Sequence, residues 1–219
     1  MKSFVEYPLE FEKMSFIERN NKSYLGKSLP EYELYKKISH LDGCVVKCGV
    51  ATEEGIIRFT ILKSLIAGAS QSNQKVIAFQ KIERSLVLTN NRQDNVELQY
   101  KVEGSVINTD EIQQKLKKEG ITEEIEFIPG AIGDSIPEYL MENPDTKIRY
   151  LNIDFDDYEA ALTTLQYLYP RLVHGGILSF DNYYKKEEDY RAARDFFKSS
   201  NIKIHSMTTN KRLHYWVRL

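Results

Sequence analysis

Apolar positions along the chain fall into short runs separated by amphipathic segments, an alternation that predicts a sheet interleaved with helices. The clearest run, Ile148-Arg149-Tyr150-Leu151-Asn152-Ile153, has the length of a buried parallel strand and runs out into Asp154, Asp156 and Asp157. After it, Tyr158, Ala161, Leu162, Leu165, Leu168 and Tyr169 recur at helical spacing, so strand and helix make half of a strand-helix-strand unit. Upstream, Cys44 to Val50 predicts a first strand, followed by a helix through Ile56, Ile57, Thr60, Ile61, Leu65 and Ile66 that stops at Gly68. Val76 to Phe79 predicts a second strand and Ile125 to Ile128 a third. Between them, Ser85 to Val106 is polar and without clear periodicity, and is predicted as a loop with some helix. Thr109 suits the N-cap of a helix from Asp110 to Glu119 that Gly120 terminates.

The remaining elements follow the same punctuation. Asp134 to Met141 is a short helix with Pro137 in its first turn, stopped by Asn143-Pro144. Pro170 breaks the helix after the fourth strand, and His174-Gly175-Gly176 turns the chain into a fifth strand, Ile177 to Phe180, which ends in Asp181-Asn182. A helix from Glu187 to Phe197 precedes two strands, Ile202 to Met207 and Leu213 to Leu219, whose short link Thr209-Asn210-Lys211 demands an antiparallel hairpin at the sheet edge. The first 43 residues are polar and aromatic-rich, with helical spacing at Tyr32, Leu34, Tyr35 and Ile38. They are expected to form an N-terminal cap or lid on a single α/β domain spanning residues 44–219.

Composition adds mainly exclusions. A chain of 219 residues at 42% hydrophobic and 28% charged is an ordinary globular domain, and a net charge of -2 gives no reason to expect nucleic acid. No apolar run approaches the roughly 18 residues of a membrane span, and the first eleven residues do not read as a secretion signal, so a cytoplasmic location is expected. Cys44 and Cys48, four apart on one strand, stand about 13 Å from each other, beyond disulfide reach, and are expected to be reduced core residues.

Candidate chemistry sits where two strands end. Asp154 and Asp156 close one, Asp181 and Asn182 the next, and acids at the carboxyl ends of parallel strands face the crevice where open α/β sheets bind ligands. If the strands are neighbours, their oxygens suit a hard divalent cation such as Mg²⁺. The plainer reading makes Asp156 or Asp157 a helix N-cap and leaves Asp181 solvated in a loop.

These residues carry a family resemblance. Asn152-Ile153-Asp154-Phe155-Asp156-Asp157-Tyr158-Glu159, then Leu168-Tyr169-Pro170-Arg171-Leu172 with Gly175-Gly176-Ile177, then Phe180-Asp181-Asn182-Tyr183, resemble the macrocin O-methyltransferase (TylF-type) family. The likeness extends upstream through Ser15 to Asn20, Tyr32 to Lys36 and Ile136 to Leu140. It implies a class I methyltransferase-like (Rossmann-like) seven-stranded sheet closed by the C-terminal hairpin. It also implies Mg²⁺-assisted methyl transfer from S-adenosylmethionine to a hydroxyl of a sugar or glycosylated small molecule. Carried over, it makes Asp154, Asp181 and Asn182 metal ligands and Asp156 the general base. The cofactor would lie against Gly49, Val50, Ala51, Gly55, Gln80, Lys81, Gly130, Ala131 and Asp154. A homodimer is compatible with the resemblance and with the polar N-terminal segment.

The donor half departs from the family pattern. Where the first strand ends in an acid that helps hold the methionine ammonium, this chain has Lys47, and where a second glycine follows it has Glu53. The ribose-binding acid is replaced by Gln80, and the glycine-aspartate near the adenine reads Gly130-Ala131. Two functions stay open on this evidence: an S-adenosylmethionine-dependent O-methyltransferase, or a methyltransferase-fold pseudoenzyme with a binding or scaffold role. A metal-dependent hydrolase of phosphorylated sugars would use the same carboxylates but has no motif of its own.

Overall fold

The computed structural model describes residues 22–49, 53–67, 75–90, 96–103, 107–118, 120–121, 125–181, 183–198, 203–207 and 211–219. Helix α1 (Lys22–Ile38) precedes β1 (Cys44–Cys48), α2 (Glu53–Ala67), β2 (Val76–Lys81) and a hairpin of β3 (Glu83–Asn90) and β4 (Val96–Glu103). Then come α3 (Thr109–Lys118), β5 (Ile125–Gly130), α4 (Ile132–Glu142), β6 (Ile148–Ile153), α5 (Tyr158–Leu168), β7 (Leu172–Phe180), α6 (Glu187–Phe197), β8 (His205–Ser206) and β9 (His214–Val217). Seven strands form one sheet in the order β5-β2-β1-β6-β7-β9-β8, parallel except for β9, which runs antiparallel to both β7 and β8. The expected α/β class, its neighbouring fourth and fifth strands and its edge hairpin are all present. No helix among the described residues is long and apolar enough to cross a membrane.

Every residue of β6 is buried, which explains its unbroken apolar run: the central strand is covered on both faces. On one face Ile136, Leu140, Ala161, Leu165 and Ala192 from α4, α5 and α6 pack on Val46, Cys48, Leu151 and Ile153. On the other, Leu34, Tyr35 and Ile38 of α1 and Phe59 of α2 pack on Val45, Tyr150 and Ile177. Tyr35, Phe59 and Tyr150 stand in mutual ring contact at 4.9 to 5.3 Å. The described part of the N-terminal segment is therefore a layer of the core.

The second face also carries polar residues. Lys47, Asn152 and Ser179 are register partners on the adjacent strands β1, β6 and β7, so their side chains form one lateral row. Lys47 Nζ donates to Asn152 Oδ1 at 2.5 Å, Asn152 Nδ2 donates to Ser179 Oγ at 3.0 Å, and Ser179 Oγ donates to the Tyr150 hydroxyl at 2.9 Å. Lys47 is 4% exposed, and its ammonium also lies 5.6 Å from the centre of the Phe59 ring.

Three local expectations are corrected. The segment predicted as a loop from Ser85 to Val106 holds the antiparallel β3–β4 pair in unbroken register from Glu83↔Glu103 to Asn90↔Val96. Val96, Leu98, Tyr100 and Val102 alternate with Glu97, Gln99, Lys101 and Glu103, a period-two signal diluted by its charged half. Helix α3 is capped by Asn108, whose Oδ1 accepts from Glu111 N at 3.2 Å, and not by Thr109, which lies inside the helix. The fifth strand begins at Leu172, with His174-Gly175-Gly176 forming a bulge within it where the pairing with β6 shifts register. Gly120 does end α3: at φ +72° it donates to Lys117 O while Ile121 N donates to Leu116 O, and Ile121 packs back on Leu116.

The buried row predicts asymmetric mutants. Lys47→Met removes the charge and keeps the stem, and is expected to leave stability within about 1–2 kcal/mol of native or above it. Asn152→Ala strands the buried ammonium and is expected to cost about 2–4 kcal/mol. Urea denaturation of the two variants is the measurement; equal losses would refute the role given to Asn152.

Candidate functional site

The ends of β1 and β6 are held together by a glycine. Gly49 takes φ +85°, and a Cβ there would come within 2.3 Å of the Asp154 carbonyl oxygen, so only glycine lets the turn after β1 pass this close. Gly49 N donates to Phe79 O and Asp154 N to Cys48 O, which fixes three strand ends side by side. Asp154 and Asp181 thus leave neighbouring strands, with Asp181 N donating to Ile153 O. Asp156 is exposed on the connection from β6 to α5.

Each acid has a different environment. Asp157 caps α5, accepting from Ala160 N at 3.1 Å, and its second oxygen pairs with Lys81 Nζ at 2.5 Å. Burial alone would raise this carboxyl; Lys81 and the Ala160 N–H outweigh it and hold the group below the usual carboxylate range. Asp154 Oδ1 receives Lys186 Nζ at 2.7 Å. Asp181 Oδ1 accepts from Asn152 Nδ2 at 3.2 Å, at the end of the Lys47 row. Burial raises the Asp181 carboxyl, the Lys47 charge opposes the rise, and Asp154 and Glu31 reinforce it.

Four residues escaped the sequence reading. Glu31 of α1 and Arg58 of α2 form a buried two-pronged pair, at 2.8 and 3.1 Å, above the polar row. Lys186 and Asp189 flank the start of α6. Asp189 is wholly buried, and neither of its carboxylate oxygens has a hydrogen-bond partner. Burial lifts its carboxyl to about 8, Lys186 pulling it down while Asp154, Asp156 and Asp157 push it up. The sequence did hold a signal for it: Asp189, Ala192, Ala193, Phe196 and Phe197 share one helical stripe, so an acid sits in the core-facing register of α6.

The residues expected at the cofactor are placed as follows. Gly55 lies in the first turn of α2. Gln80 is buried on β2, its Oε1 accepting from Ile107 N at 3.4 Å, and Lys81 follows it into the ion pair with Asp157. Gly130 ends β5 beside Lys81, and the Ala131 carbonyl opens α4 by accepting from Asp134 N and Ser135 N. Val50, Ala51 and Asn182 lie outside the described residues, as does the Glu53 side chain.

Neither expected group finds all of its expected partners. Asp154 and Asp181 each spend an oxygen on an internal partner, and the described residues include no group of three His, Cys, Asp or Glu side chains able to hold a metal. The donor ammonium expected near position 47 would face another buried ammonium, so the methionine end of S-adenosylmethionine does not fit Lys47. A cavity of about 640 Å³ opens at the opposite, amino ends of the strands, lined by Asp42, Tyr139, Glu142 and Lys147 among others, away from these acids.

Tyr183 anchors the loop between Asp181 and Lys186. It is 2% exposed, its N–H donates to Arg212 O, and its ring touches Phe180, Tyr190, His214 and Trp216 at 5.2 to 5.6 Å.

Asp189 gives the fold a pH dependence with a definite sign. Its native carboxyl near 8 lies above the unfolded value of about 3.9, so its contribution is complete below about pH 4 and is lost as pH rises toward 8. Asp189→Asn mimics the protonated form, and its stability advantage over the native chain is expected to grow across that window, by at most about 1.4 kcal/mol per pH unit. Parallel stability-against-pH curves from urea denaturation would refute the assignment.

The fold and the site can be set beside known proteins. The calicheamicin methyltransferase CalS11 superposes with a TM-score of 0.71 at 18% identity, over 98% of this chain and 95% of that one. The O-methyltransferase NovP gives 0.61 at 17% identity, over 89% and 80%. A Podospora anserina methyltransferase, PaMTH1, bound to SAH, gives 0.53 at 7% identity over the whole of both chains. At these identities the likeness establishes the methyltransferase fold. No curated protein matches the chain. The model of the macrocin-O-methyltransferase (TylF) family matches residues 37–218, from the end of α1 through the edge hairpin, and the chain belongs to that family.

Proposed function

We propose that this chain is an S-adenosylmethionine-dependent O-methyltransferase acting on a sugar hydroxyl or a glycosylated small molecule. The observation that carries the reading is the division of labour among the acids: Asp157 is committed to the helix cap, while Asp156 stands exposed on the connection after β6, two residues beyond Asp154. An exposed carboxylate there suits a general base that takes the acceptor hydroxyl's proton, and Asp154 and Asp181 line the approach. The sugar acceptor is supported by family membership and by the CalS11 structure described as a TDP-rhamnose 3'-O-methyltransferase. Mg²⁺ assistance, implied by the resemblance, would have to compete with Lys186 for Asp154 Oδ1.

One observation favours a second reading. Lys47 stands 4% exposed and hydrogen-bonded where the family places an acid, which supports a methyltransferase-fold protein that binds its small molecule without a methyl donor.

Calorimetric titration with S-adenosylmethionine and S-adenosylhomocysteine separates the two. The first reading expects saturable heat; none at millimolar ligand would leave the second. Given binding, Asp156→Asn is expected to lower methyl transfer to TDP-rhamnose or another sugar nucleotide by about 10²-fold or more, with donor affinity nearly unchanged. Turnover at the native rate would refute Asp156 as the base.

A further inference from the structure

The crevice formed by the ends of β6 and β7 already contains a cation supplied by the chain. Lys186 occupies the N-cap position of α6, where its side chain makes no hydrogen bond to the helix. It reaches back instead to Asp154, and the two side chains are only 24% and 28% exposed. Three residues later Asp189 is wholly buried and without a hydrogen-bond partner on either oxygen. Lys186 is the positive charge that faces it, and Asp154, Asp156 and Asp157 are the negative ones. A buried carboxylate in such company is tolerated only beside a positive charge or with a proton. Lys81, the neighbouring cation, is committed to Asp157.

We infer that the Lys186 ammonium is the resident cation of this crevice, seated on Asp154 and facing Asp189 where the family resemblance expects a divalent ion, and that the crevice operates without one. A Mg²⁺ at about 2.1 Å from Asp154 Oδ1 would stand no more than about 4.8 Å from Lys186 Nζ, so ammonium and ion repel each other and compete for the same oxygen. The ammonium carries three donors, and the bond to Asp154 uses one. The others are available to an acceptor oxygen, whose developing negative charge a fixed cation stabilises as a metal would. The inference deepens the proposed function and rests on it for the identity of that oxygen; the competition between lysine and metal rests on the Lys186–Asp154 contact.

Mn²⁺ titration of the full chain, followed by electron paramagnetic resonance without any methyl donor, tests it. The native chain is expected to take up no stoichiometric Mn²⁺. Lys186→Met is expected to bind it at least about tenfold more tightly than native, as a lost ionic contact of ordinary strength implies, and adding Asp154→Asn is expected to abolish that gain. Lys186→Arg keeps the cation and is expected to behave as native. Stoichiometric Mn²⁺ on the native chain that Asp154→Asn removes would overturn the inference, and so would a folded Lys186→Met that gains no site. Should Lys186→Met not fold, as read by circular dichroism, Lys186→Gln takes its place and the native titration still decides. Because no donor is present, failure here is distinct from failure of the S-adenosylmethionine titration.

Discussion

The hydrogen bond from Lys47 to Asn152 ties the two central strands of the sheet at the level where the site begins. An ammonium in the interior of a sheet survives only if its surroundings answer it, and here they do so on three sides. Asn152 Oδ1 accepts a hydrogen bond from it, the Phe59 ring lies beside it, and the Asp181 carboxylate lies at the end of the same polar row. Those partners come from α2, β6 and the exit of β7, so satisfying one charge aligns three elements. The Glu31–Arg58 pair closes the same region from the helical side, joining α1 to α2 above the row. The position of Asp181, and through it the shape of the crevice, thus follows from how one lysine is accommodated.

The same accommodation separates ancestry from chemistry. Membership of the family rests on a match that runs from residue 37 to residue 218, and so includes β6, the turn after α5 and the end of β7. The ends of β6 and β7 carry the acids Asp154 and Asp181 on neighbouring strands. Lys47, Gln80 and Lys81, the positions at which the resemblance expects the donor, bond to the protein itself: one to Asn152, one to Ile107, one to Asp157. These side chains hold strands and helix ends together.

Much of this was legible in the sequence because it is local. The buried run of β6, the helix from Glu187 to Phe197 and the edge hairpin follow from periodicity and turn residues alone. The β3–β4 hairpin was missed because its apolar half alternates with charge, leaving a low average hydropathy that resembles a loop. Thr109 and Asn108 are both good caps, and only the three-dimensional reach of a side chain to Glu111 N decides between them. Lys186 and Asp154 are 32 residues apart, and Lys47 and Asn152 are 105 apart. No spacing rule connects such pairs; the sheet order does.

Tyr183 has a consequence for how the molecule is made. The loop carrying Asp181 and Lys186 is anchored by a ring whose partners include His214 and Trp216, and by a hydrogen bond to Arg212. Tyr183 therefore gains its contacts to His214 and Trp216 only once β9 has paired beside β7, so the loop is fixed by the same step that closes the sheet edge. The acids of the crevice stand earlier in the chain, but the wedge that fixes their loop arrives with β9.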